Sequence, residues 1–436
     1  MSGFKRVLLL GTGPTSIQLA VTLKKQLNCY VGISGRESVR SEKVFAALKQ
    51  SDHLIRVSVQ NEKHQAMAGE CFIDQVFKGY GTIKGDWDTI IFSVTTDAYM
   101  DVVKQMNDAL LKQVKCIVLI SPTFGSNSLI RNYMNRINPD VEIISFSTYY
   151  GDTRWIHNQS PNHVLTTGVK KKIYIGSTHY PSKNIDRLCQ LYEKLGIALE
   201  RMKSPIEAET RNISLYVHPP LFMNDFSLRA IFGELDTKKY VYKIYPEGPI
   251  TQYLIREMLA HWKEIMNIIG KMNIQSINLL KFMIDDNYPV RSESLSRDDI
   301  ENFKHLEPIH QEYLLYIRYT SLLIDPFSEP DKEGKYFDFS AVPFRKVFVN
   351  KEGYWDIPRM PKEDYYRVKI IQGIAKYLNV DCPTIDKFIE RYERKIETFA
   401  QSHRGELLSN AFTVQNFAED LQMICSEIEK SITAKR

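Results

Sequence analysis

The first part of the chain alternates short apolar runs with stretches of helical period. Residues 6–10 form an apolar run that enters Gly11-Thr12-Gly13-Pro14-Thr15-Ser16, residues 15–26 carry a helical pattern, and a second apolar run over 29–33 ends at Gly35-Arg36. Further strands are expected at 54–59, 89–94, 116–120, 142–146 and near 198–202; residues 164–177 alternate as a hairpin would, and 185–195 read as an amphipathic helix. Alternating strands and helices imply a parallel sheet with helices on both faces, so residues 1–204 are read as an α/β Rossmann-type N-terminal domain. From residue 205 the pattern changes to long helical stretches, including 250–272 and 310–323, and helices return from Lys362 to the end. Residues 205–436 therefore read as a mainly α-helical C-terminal domain. Residues 326–361, rich in aromatics, prolines and glycines, read as a small strand-containing insertion within it.

Composition narrows the classes of function. A chain of 436 residues has room for two domains with substantial cores. An apolar fraction of 43% and a charged fraction of 25% are those of a globular protein, and a net charge of +5 without a long basic run does not indicate nucleic acid as a partner. The cysteines at 29, 71, 116, 189, 382 and 425 lie far apart with no CxxC pair, which suggests neither a zinc site nor a disulfide framework. Together with the lack of a signal-like or membrane-length apolar run, this makes the expected location the cytoplasm, away from membranes.

Candidate chemistry begins at the glycine turn. A strand, a Gly-x-Gly turn and a helix start are the elements of a dinucleotide site. Gly11 makes the tight turn, Gly13 lets the backbone approach a pyrophosphate, and Thr12, Pro14 and Thr15 complete the phosphate-facing turn at the helix N-terminus. Ser16 stands where a third small residue normally allows close helix packing. At the end of the second run Arg36 replaces the acid that would bind ribose hydroxyls, and Arg40 and Lys43 follow, so the charge favours a 2'-phosphate and NADP(H). The strand ends at 93–97 and 121–126 offer hydroxyls, notably Thr95 and Thr123, and free backbone N–H groups beside the expected crevice; the same residue types also serve as helix caps. Asp152 and Arg154 form a charged pair that could face the crevice or be a surface ion pair.

In the second half His218 has unusual surroundings, because Pro219 and Pro220 follow it directly and are expected to stop a helix there. It is a candidate proton-transfer group, with a structural histidine in a kinked segment as the other reading. Arg318, on an otherwise apolar helical face, could clamp a substrate carboxylate, and Asp325 could orient His218; an internal ion pair and a helix-ending Asp-Pro turn remain open for these two.

These segments together resemble the opine dehydrogenases, most closely the staphylopine dehydrogenase group. The resemblance rests on residues 120–126, 144–154, 162–179, 207–227, 245–250, 313–328 and 336–344. It implies an NADP(H)-binding Rossmann domain, a helical catalytic domain, an active site in the cleft between them and, by analogy, a homodimer. The implied reaction condenses a histidine-derived amine carrying an aminobutyrate unit with a 2-keto acid, and NADPH reduces the imine; the product chelates metals while the enzyme needs none. The family's catalytic histidine falls on His218 and its 2'-phosphate arginine on Arg36, with Arg40 or Lys43 completing that site. In the wider family an arginine lies about five residues before the histidine's Asp, whereas Arg318 and Asp325 are seven apart. An Asp152 carboxylate near the keto acid would repel a second carboxylate by about 4 kcal/mol at ~4 Å and an effective dielectric near ~20, which favours pyruvate over 2-oxoglutarate. A role for Asp152 in binding a substrate ammonium makes no such choice. A non-catalytic NADP(H) sensor, needing no proton-transfer group, is the reading from another class.

Overall fold

The leading apolar run forms an interior strand of a large sheet, where its residues are sealed on both faces. In the computed structural model, which describes residues 3–156, 161–321 and 341–433, the strands are β1 (Arg6–Leu10), β2 (Tyr30–Gly35), β3 (Leu54–Val59), β4 (Gly69–Phe72), β5 (Gln75–Lys78), β6 (Thr89–Phe92), β7 (Cys116–Leu119), β8 (Glu142–Phe146), β9 (Gly151–Trp155), β10 (His163–Val169), β11 (Lys172–Ser177) and β12 (Ala198–Arg201). Eight of them form one sheet in the order β12-β11-β8-β7-β6-β1-β2-β5, parallel except where β11 meets β8. The order reverses between β1 and β6, the switch point of a Rossmann fold where ligands bind.

The other four strands form a second sheet, β4-β3-β10-β9. This overturns the expected hairpin over 164–177, because β10 pairs with β3 and β9 while β11 joins the large sheet. The burial explains the split. Along β10 the sealed and half-exposed positions alternate, as on a one-sided sheet, whereas four consecutive residues of β11 are buried, as in a strand covered on both faces.

Two compact units divide the chain at Asn212/Ile213, not at 204/205, and Gln422–Arg436 goes with the first unit. The short Pro205–Thr210 helix packs on β8 and β11. The backbone at Ser204 approaches so closely that a Cβ on Gly176 would lie 2.2 Å from its carbonyl oxygen. The second unit is mainly helical, built around the long helices Gln252–Lys271, Arg359–Tyr377 and Pro383–Ser402. Within 326–361, the described residues contain the short antiparallel pair Phe348–Val349 and Trp355–Asp356. No described helix is long and apolar enough to cross a membrane.

Candidate active site

At the nucleotide end of the first unit, Gly11 has φ +125°, a conformation open to glycine, and its N–H donates to the Ser34 carbonyl at 2.7 Å. Gly13 caps the Pro14–Leu27 helix without a side-chain hydrogen bond, and a Cβ at Gly13 would meet nothing within 4 Å. Pro14, at the first helical position, has no N–H to satisfy. The result is an open, uncapped helix N-terminus flanked by half-exposed Thr12 and Thr15, which fits a pyrophosphate. Buried Ser16 does not spoil the packing. Ser93 spends its proton on the Leu10 carbonyl at 2.8 Å, so Ser16 donates to Ser93 at 2.7 Å and ties helix to strand.

β2 ends at Gly35, where a Cβ would strike the Thr12 methyl at 2.5 Å. Exposed Arg36 follows directly. Arg40 and Lys43 are exposed on the first turns of the Val39–Gln50 helix, whose cap Ser38 accepts from the Ser41 N–H. The basic groups and the open turn fit an NADP(H) rather than an NAD(H) site.

The loops after β6 and β7 differ from expectation in one respect. Thr95 is exposed and its side chain caps nothing; Thr123 is buried, and its hydroxyl has no partner among the described residues. The backbone N–H groups of the second loop, however, are not free. Gly125 and Asn127 donate to the carboxyl of Glu209 at 2.9 and 2.7 Å, joined by the Asn127 amide at 3.0 Å and the Ser145 hydroxyl at 2.8 Å. Glu209 is 0% exposed; burial pushes its carboxyl up to about 7 against the pull of those four donors. An internal carboxyl therefore takes the anion position at the N-terminus of the Ser126–Met134 helix.

Asp152 and Arg154 lie on the exposed face of the edge strand β9, and Asp152 accepts from Thr167 at 2.8 Å. The opposite face is a buried polar network running from Tyr149 through Thr153 and Thr166 to Gln18 on the first helix.

In the second unit His218 sits on the Ser214–Phe222 helix, which runs through Pro219 and Pro220 instead of stopping there. The reason is a substitute hydrogen bond. Pro219 has no N–H for the Leu215 carbonyl four residues earlier, and His261 Nε2 donates to that carbonyl at 2.8 Å. Burial pushes the His261 imidazole down to about 4, so it is neutral, with Nε2 carrying the proton.

His218 Nδ1 is buried, 3.6 Å from Asp364 Oδ1, while the side chain as a whole is 22% exposed. At that distance Nδ1 makes no hydrogen bond among the described residues, and Asp364 is its ion-pair neighbour. The ring packs edge-on to Phe222. Asp364 is 0% exposed and pairs with buried Arg367, which also lies 3.7 Å from Glu363; Glu363 in turn pairs with Arg359. Burial would raise the Glu363 carboxyl, yet Arg359, Arg367 and His218 together hold it below the usual carboxylate range. Asp325, the expected partner of His218, lies outside the described residues; the described carboxylate facing this histidine is Asp364. The signal is present in Glu363-Asp364-x-x-Arg367, two acids and an arginine within a helix whose Tyr365, Tyr366, Val368, Ile370 and Ile371 are buried.

Arg318 is 5% exposed on the Pro308–Thr320 helix, its guanidinium 4.9 Å from the Tyr319 ring centroid. Burial lowers its pKa, opposed by Tyr319, Tyr242 and Tyr288. Among the described residues no carboxylate lies within 4 Å of it, and its Nε has no partner. A buried guanidinium with no carboxylate beside it among the described residues has the geometry to hold one.

The family model for staphylopine dehydrogenase matches residues 5–428. The chain is 48% identical to staphylopine synthase of Staphylococcus aureus over 97% of this chain and 98% of that one, and 34% identical to pseudopaline synthase of Pseudomonas aeruginosa over 90% of each. It superposes on NADP+-bound yersinopine dehydrogenase with a TM-score of 0.90 at 29% identity, over 98% of this chain and 99% of that one. An octopine dehydrogenase in complex with NADH and agmatine has a TM-score of 0.62 at 16% identity over 99% and 98% of the two chains, a likeness of fold. The chain belongs to the staphylopine dehydrogenase family of opine dehydrogenases.

Proposed function

We infer that this NADP-dependent opine dehydrogenase joins a histidine-derived amine carrying an aminobutyrate unit to pyruvate and forms a staphylopine-like secondary amine. The observation that carries the reading is found within the second unit: His218 backed by buried Asp364, and buried Arg318 with no described carboxylate partner. One group handles a proton and the other fits the carboxylate of a 2-keto acid. The 48% identity to staphylopine synthase supports the choice of amine and keto acid.

The open turn at Gly11 and Gly13 holds the pyrophosphate, and Arg36 with Arg40 or Lys43 holds the 2'-phosphate. Bound NADPH supplies the hydride that reduces the imine carbon. His218, with Nδ1 beside Asp364, takes one proton from the substrate ammonium through Nε2, which frees the amine to attack the keto carbon. As the C–N bond forms, a proton passes from the amine nitrogen to the carbonyl oxygen, which becomes a hydroxyl; His218 returns its own proton to that hydroxyl, water leaves, and a protonated imine remains for reduction. Asp364 stabilises the imidazolium between those steps without taking the proton itself. Arg318 orients the keto acid by its carboxylate, and Asp152 disfavours a second carboxylate on it. The enzyme acts in the cytoplasm as a homodimer.

The test offers purified enzyme NADPH, the histidine-derived amine and both keto acids in one vessel, with products separated by mass spectrometry. A product carrying the pyruvate carbon skeleton is expected. A predominant 2-oxoglutarate product would overturn the keto-acid assignment alone, whereas NADPH that stays unoxidised with every pair of substrates would overturn the reaction.

A further inference from the structure

Lys78 ends β5 in parallel register with Gly35, the last residue of β2, so the strand beside Arg36 delivers a further cation to the same sheet edge. Two hydrogen bonds join the end of β5 to the end of β2. The Gly79 N–H donates to the Gly35 carbonyl at 2.8 Å, and the Ser34 hydroxyl donates to the Gly79 carbonyl at 3.4 Å. The Lys78 side chain crosses the Phe45 ring at 5.6 Å, and its ammonium meets Glu42 at 2.7 Å on the helix that carries Arg40 and Lys43. Exposed Glu37, whose carboxylate lies 3.8 Å from the Cβ position of Gly79, is the other acid here.

We propose that Lys78 is a cofactor-specificity residue for the 2'-phosphate, and that Glu42 is the internal anion this phosphate displaces. The proposal rests on the NADP(H) reading above. Arg36, Arg40, Lys43 and Lys78 bring four cations to this strand end and the helix start that follows it, and Glu42 neutralises one of them, Lys78. A 2'-phosphate, with more charge and three acceptor oxygens, outcompetes a single exposed carboxylate for the ammonium, whereas a nucleotide with a free 2'-hydroxyl leaves the Lys78–Glu42 pair closed. Discrimination between the two cofactors therefore has a positive part, Lys78, and an opposing part, Glu42, which holds the lysine in place and weakens phosphate binding.

Calorimetric titration with 2',5'-ADP and 5'-AMP reads this without turnover, since the two ligands differ by the phosphate alone. Lys78→Met is expected to weaken 2',5'-ADP about fivefold and to leave 5'-AMP unchanged, and Glu42→Gln to strengthen 2',5'-ADP about threefold. In the double variant the gain from Glu42→Gln shrinks, because no ammonium remains to be released. If the wild-type protein binds both ligands equally, the NADP(H) reading falls and this proposal with it. If it prefers 2',5'-ADP but Lys78→Met leaves the preference intact, or weakens both ligands alike, the proposal for Lys78 fails and the reading of Arg36 stands.

Discussion

Replacing Glu209 by Gln removes one buried ionisable group and keeps its shape. In the wild type, burial places the carboxyl near pH 7 against an ordinary value of 4.5. The folded-state pKa is raised, so this group's contribution to stability is fully present below about pH 4.5 and is lost as pH climbs through about 7. At about 1.4 kcal/mol per unit, the span amounts to about 3 kcal/mol. The substituted amide does not titrate, but its NH2 faces donors that the carboxyl oxygens satisfied, Gly125 N–H and the Asn127 amide on one side or Asn127 N–H and Ser145 on the other. The variant should therefore be less stable than wild type at low pH, and the difference should shrink by about 3 kcal/mol as pH rises to about 8. Urea unfolding of both proteins across that range measures it. A difference that stays constant with pH would show that the carboxyl is not held near neutrality and would refute the reasoning.

Four further variants test the catalytic reading. His218→Ala should lower kcat by about 10²- to 10⁴-fold, and Asp364→Asn by about tenfold or more with KM nearly unchanged, as stopped-time product assays will show; near-normal turnover of His218→Ala removes that residue from the mechanism. Arg318→Met should raise KM for the keto acid by about 30-fold or more, yet raise the melting temperature, because a buried charge with no carboxylate beside it among the described residues becomes an apolar side chain of similar length; a drop in melting temperature would mean that the guanidinium has a structural partner. Asp152→Ala should narrow the ratio of pyruvate to 2-oxoglutarate efficiency, and an unchanged ratio would assign Asp152 to the amine instead.

How much of this is legible in the chain depends on distance along it. Gly11, Gly13 and Arg36 are readable because strand, turn, helix and strand follow one another within 36 residues, so local sequence carries the whole unit. Ser16 is not, because its compensation by Ser93 lies on another strand end. His218 stands out through its prolines, but their effect differs from the local expectation: a proline breaks a helix when the freed carbonyl has no donor, and here His261 supplies one from a helix far along the chain. Asp364 is hidden because charged residues on a helix normally mark a solvated face, and nothing local says that this face is sealed. The free N–H groups expected after β7 are taken by Glu209, again a partner from a distant segment.

The second sheet has a consequence for how the chain is made. The β3–β4 hairpin is complete by Phe72, but the strand that covers the free edge of β3 is β10, paired through Arg56 and His163, roughly a hundred residues later. At ribosomal speeds of about 5–20 residues per second, that edge emerges roughly 5–20 s before its cover. During that interval the nascent chain presents one unpaired edge of a largely apolar strand, Leu-Ile-Arg-Val-Ser-Val, with Arg56 as its one charge. Chaperone dependence and loss during overexpression should therefore follow changes at Arg56 more closely than changes in the active site.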